Sequence, residues 1–153
     1  MITAMKSSIF EIMETMFFTP VEFSESIPEE FPDLKQPDKI IAGRLNFSGP
    51  FLGYFILFAP KKLAKMLTSD FLGEDEENIS SEQISETVKE ILNMLAGGTF
   101  THYDDNAVFN LDIPETVDFD KAKTDGASPV EKIVVIAQTP DDFLSLAMFK
   151  ASA

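Results

Sequence analysis

The sequence contains no cysteine and no tryptophan, a single histidine and two tyrosines. Without cysteine there can be no disulfide, thiol nucleophile or thiolate metal site. The lone His102 leaves Ser-His catalysis and His-rich zinc chemistry almost nothing to build with. Basic residues are scarce: 12 Lys and Arg stand against 26 Asp and Glu, a formal charge of −14. Such a polyanion is repelled by phosphate backbones and anionic lipid, which argues against nucleic acid and membrane surfaces as partners. Long apolar runs are also missing. The longest, Phe51 to Pro60, falls short of the ~20 residues that span a bilayer. The amphipathic first residues carry Glu11 and Glu14, unlike the apolar centre of a signal peptide. The expected compartment is the cytoplasm.

What remains is a chain of 153 residues with 44% hydrophobic residues, fifteen of them Phe. That suits one domain over 1–153 with a Phe-rich core. Met5, Ile9, Ile12 and Met16 follow helical spacing and predict a buried helix face ending by Pro20. Residues 26 to 37, with Pro28, Pro32 and Pro37 among acidic residues, read as a loop. Lys39 to Phe47 and Phe51 to Phe58, separated by Ser48-Gly49-Pro50, predict an antiparallel hairpin. Lys61 to Leu72 reads as a helix ending near Gly73, followed by an acidic loop to Asn78.

Ser80 and Gln83 have capping-box spacing, in which each side chain satisfies a backbone N–H of the other. They predict a helix from about Ser81 to Ala96, with Gly97-Gly98 as its stop. Further strands are expected over Ala107 to Ile113, Lys132 to Gln138 and Phe143 to Phe149, with a polar connection from Asp118 to Pro129. The order helix, strands, helix, helix, strands predicts an α+β fold: a mainly antiparallel sheet with helices packed on it, in two weakly similar halves.

The helix over 81–96 carries the most information. At 100° per residue Ile84, Val88, Ile91, Leu92 and Leu95 gather on one side, which should face the sheet. Glu86, Glu90 and Asn93 fall on the other, within a sector of roughly 60°. An exposed polar helix face is ordinarily just solvated. Here, however, Asn sits a turn before the glycines, although it costs roughly 0.5–0.7 kcal/mol against Ala in a helix. Glu86 and Glu90 are also like charges at i, i+4, a mildly unfavourable pair.

The run Glu90-Ile-Leu-Asn93-Met-Leu-Ala-Gly97 resembles the active-site helix of the CheC/CheX/FliY chemotaxis phosphatases. That family's pattern is an acidic or Ser residue, three residues, Glu, two residues, Asn, and a distant Pro. Glu86, Glu90, Asn93 and Pro114 match it, with twenty residues between the last two. Glu86 departs from the commoner Asp or Ser. Two-site members repeat the pattern on the first helix; here Ser7 and Glu11 are followed by Glu14 where Asn is required. The resemblance is therefore to the single-site CheX branch.

The resemblance implies hydrolysis of the phospho-aspartate of a CheY-type response regulator. Asn93 and Glu90 would be catalytic, with Glu86, Lys89 and Gly97 as partner contacts. The regulator would supply the Mg²⁺, so no cofactor or metal of the protein's own is implied. A CheD-type adaptor is a second possible partner, and a non-catalytic binding module on the same fold is the alternative function. Relatives often dimerise through sheet edges, and Phe143 to Phe149 reads as an apolar edge, which implies a homodimer. Lys89 and the partner's cations are expected to relieve the field near Glu90.

Other candidates fail on spacing. Asp118-Phe-Asp120 lacks the sixth-position Gly of a calcium loop. Gly97-Gly98-Thr99 lacks the Lys-Ser/Thr ending of a phosphate loop. His102 with Tyr103, Asp104 and Asp105 reads as a surface loop.

Overall fold

Successive side chains of a strand point to opposite faces of the sheet, so each apolar strand has a face that must be covered, and helices with apolar stripes cover one of them. A computed structural model describes residues 1–25, 36–119 and 131–151. The order is α1 (Ile2–Met16), β1 (Glu22–Ser24), β2 (Ile40–Ser48), β3 (Gly53–Pro60), α2 (Lys61–Leu72), α3 (Ser81–Tyr103), β4 (Asn110–Leu111), β5 (Glu115–Val117), β6 (Glu131–Gln138) and β7 (Phe143–Lys150). Single 3₁₀ turns occupy Pro37–Lys39 and Glu76–Asn78. The seven-stranded sheet runs β1-β6-β7-β3-β2-β4, with β5 also on β2, and every pair is antiparallel. The α+β architecture is the expected one. No helix among the described residues is long and apolar enough to cross a membrane.

One face of the sheet offers Leu45 and Phe47 from β2, Phe55 and Leu57 from β3, and Leu144, Leu146 and Met148 from β7. These form a single core with Met5, Ile9, Val88, Leu92 and Leu95 from α1 and α3. Tyr54, Ile56 and Ala147 form a smaller cluster from the alternate positions. The hairpin is in register from Ile40↔Pro60 to Phe47↔Gly53. Helix α2 stops where expected, on Gly73 with φ 68, a left-handed value that glycine adopts without steric cost.

Several expectations need correcting. In α1 the buried stripe is Ala4, Met5, Ser8, Ile9 and Met13, while Met16 is exposed. The helix ends at Met16, and Phe17 turns into the core in its place. The expected strand over 107–113 shrinks to Asn110–Leu111. Phe109 stacks on Phe100 at 3.8 Å instead of extending a ladder, and Pro114 separates the segment from β5. Strand β1 had no signal beyond three residues of sequence. β7 is an interior strand between β6 and β3, not an edge; its apolar faces are covered within the chain. The loop over 26–37, apart from its last two residues, and most of the 118–129 connection lie outside the described residues.

The largest correction concerns Gly97-Gly98. Helix α3 runs through both to Tyr103, and His102 lies in its last turn rather than in a loop, 3.0 Å from Glu11 Oε2 on α1. The glycines mark a helix crossing. A Cβ on Gly98 would meet Ser8 Oγ, a hydroxyl that donates to the Leu95 carbonyl at 2.9 Å, whereas a Cβ on Gly97 would meet nothing within 4 Å. The two neighbours should therefore respond oppositely. Gly97→Ala should gain up to about 1 kcal/mol from helix propensity. Gly98→Val should lose ~1–3 kcal/mol through overpacking. Urea melts of the two variants check this, and equal effects would contradict the crossing.

Candidate active site

Helix α3 is fixed at its start by the expected capping box. Ser80 Oγ accepts from the Gln83 N–H at 3.1 Å, and Gln83 Oε1 accepts from the Ser80 N–H at 2.9 Å. Val88, Ile91, Leu92 and Leu95 are buried as the periodicity requires, while Ile84 is only half-buried. The helix sits on β2 at Gly43, where an added Cβ would lie 3.2 Å from Leu92 Cδ2 and 3.6 Å from the Glu115 carbonyl oxygen. The residue before Asn93 and the residue after Pro114 thus converge on one point of the sheet. Ser85 Oγ and Thr116 Oγ1, 3.5 Å apart, join the same two segments.

With the apolar side anchored, Glu86 and Glu90 are exposed and Asn93 is half-buried. Lys89 Nζ lies 2.6 Å from Glu86 Oε1. The ammonium therefore sits on Glu86, not on Glu90 as expected. No hydrogen bond or ion pair among the described residues engages the Glu90 or Asn93 side chain. One carboxylate and one carboxamide, a single turn apart on a rigid helix, are thus left available to an incoming partner. Gly97, the next turn on, presents bare backbone.

On α1, Ser7 is half-buried, Glu14 is exposed, and Glu11 is engaged by His102. The first helix therefore does not duplicate the free pair of α3. Phe71 and Leu72, which sequence reasoning passed over, lie beside the candidate face. They line a groove of about 480 Å³ together with Glu82, Glu86 and Glu90. The signal was available in principle, as two large apolar residues directly before the Gly73 stop.

The family model described as chemotaxis phosphatase CheX matches residues 41–138, which include the hairpin, α2, α3 and the Pro114 segment. The chain belongs to the CheX family. Solved structures agree on the fold. A chain of the CheX-CheY-BeF3-Mg complex from Borrelia burgdorferi superposes with a TM-score of 0.74 at 16% identity, covering 99% of this chain and 97% of that one. CheX from Vibrio vulnificus gives 0.73 at 17% identity, covering 97% and 94%. FliY from Thermotoga maritima gives 0.62 at 16%, covering 97% and 84%. No curated protein matches the chain in sequence. At such identities the CheX and FliY structures speak to fold, and the residues of α3 must carry any argument about chemistry.

Proposed function

We propose that this CheX-family protein hydrolyses the phospho-aspartate of a CheY-type response regulator, with Asn93 orienting the attacking water and Glu90 fixing the regulator's register. The observation that carries the reading is the Glu90/Asn93 pair, without a partner among the described residues, on an anchored helix. The water oxygen attacks phosphorus, the bond to the aspartate oxygen breaks, and the carboxylate leaves. The water's proton passes to the phosphate product or to solvent. The acyl phosphate is already activated in the regulator, whose Mg²⁺ and Lys neutralise charge on the phosphoryl group. What is missing is a positioned water. A carboxamide can accept from that water and donate to it, a role like that of the water-orienting Gln of GTPases.

Glu90 pairs with the regulator's active-site Lys on docking. Glu86 stays neutralised by Lys89 and flanks the contact, and the bare Gly97 backbone allows close approach. The Borrelia relative was solved with CheY, BeF3 and Mg, which supports this partner and this source of the metal. A CheD-type adaptor and a second copy of the chain are further partners; a homodimer formed by strand pairing would use an edge other than β7.

The test is loss of phosphoryl label from phosphorylated CheY-type regulators. Faster loss with the protein present supports the phosphatase. Binding without acceleration would make it a docking module. In the same system Glu90→Ala should weaken binding of the beryllofluoride-activated regulator by roughly 30-fold or more, because it leaves a desolvated Lys unpaired. An unchanged Kd would remove Glu90 from the interface.

A further inference from the structure

The groove beside Glu90 has no role in positioning water, and its walls are of two kinds. One wall is Phe71 and Leu72, 40% and 42% exposed, at the end of α2. The other is α3, with Glu82, Glu86 and Glu90. Phe71 is held from behind by Phe17, ring centroids 6.5 Å apart. The next residue, Phe18, is 86% exposed with φ 50, a left-handed conformation that costs a non-glycine residue ~1–2 kcal/mol. The apolar wall is therefore backed by a buried ring, partly exposed, and adjoins the reacting face at Glu90.

We propose that this groove is the specificity-determining dock for the segment of the response regulator that borders its phosphorylation site. It takes an apolar side chain against Phe71 and Leu72 and a basic one against Glu82. The proposal rests on the reading of Glu90 and Asn93 given above, because a regulator whose Lys meets Glu90 must lie over the adjoining groove. Charge selects this occupant over a second copy of the chain. Three carboxylates line the groove, one of them paired with Lys89, and seating the same face of a second copy here would set like charges together. An apolar patch with a charged flank suits a docking site in which burial holds the partner and charge steers it.

The test measures kcat and KM for a phosphorylated CheY-type regulator at two salt concentrations, with the full chain and with Leu72→Ser, Leu72→Met, Phe71→Ser and Glu82→Gln. Leu72→Ser and Phe71→Ser should each raise KM about tenfold, independently of salt and with kcat within about twofold. Leu72→Met should restore the wild-type KM. Glu82→Gln should raise KM less and flatten its salt dependence. Circular dichroism should match wild type, while melting should fall modestly, more for Phe71→Ser, which loses its ring contact with Phe17. KM within twofold for both serine variants would overturn the dock. If wild type binds without accelerating dephosphorylation, the phosphatase reading fails, and the same variants, read as Kd for the beryllofluoride-activated regulator, decide the groove separately. If wild type neither accelerates nor binds, both proposals fall.

Discussion

Replacing Asn93 with alanine should slow stimulated dephosphorylation by about 100-fold or more, since a misplacement of ~1 Å in a reacting group already costs that much. In activation terms this is roughly 2.7 kcal/mol. Binding should change little. Asn93 is half-buried and its side chain makes no hydrogen bond or ion pair among the described residues, so its truncation strips nothing from their hydrogen bonding. The loss should therefore appear in kcat, with the Kd for the beryllofluoride-activated regulator within about threefold of wild type. Equal losses in rate and affinity would instead make Asn93 an anchor. Asn93→Gln is a useful companion, because it keeps the carboxamide but moves it outward by one methylene. An intermediate rate would indicate that position, not merely polarity, matters.

The second large effect is on stability. Leu92→Ala should destabilise the fold by ~2–5 kcal/mol, the range for emptying a buried leucine site. Leu92 is fully buried and packs over Gly43, where even one added carbon would lie 3.2 Å from its Cδ2. The strand backbone below is held by β3 on one side and β5 on the other, so the space has little means of collapse. A loss of 3 kcal/mol corresponds to a fall of roughly 6–12 °C in Tm for a chain of this size. A change below about 1 kcal/mol would show that α3 is free to settle onto β2, and the helix could not then be regarded as a fixed platform for Glu90 and Asn93.

The parts of the fold that were legible from sequence are those decided locally. The Ser80/Gln83 box, the Gly73 stop, the hairpin and the apolar run of β6 all depend on residues within a turn or a strand of one another. The errors fall where distant residues decide. Gly97 and Gly98 have the composition of a helix end, yet the stripe continues beyond them, with Leu95 and Ala96 followed by the buried Thr99 and Phe100. That continuation was the available signal. At the glycines the helix passes close to Ser8, whose hydroxyl donates to the Leu95 carbonyl eighty-seven residues away. The apolar β7 was placed at an edge because hydrophobicity reports burial but not which neighbour provides it. Glu86, Glu90 and Asn93 could be grouped from helical periodicity alone. The Lys89–Glu86 pair was also readable, because side chains at i, i+3 meet on a helix whereas Lys89 and Glu90, at i, i+1, point apart.

Helix α3 is held by its cap, its seat on Gly43 and the Ser8 hydroxyl one turn beyond Asn93. Such a helix has little to rearrange when a regulator arrives. The ordering entropy of the site is spent during folding rather than at each encounter, so turnover need not wait on a gating motion. On the proposed function, the pace of signal termination is then set by how often the regulator meets this face in the right orientation, and ionic strength, by screening the carboxylates that steer it, becomes a governor of that pace.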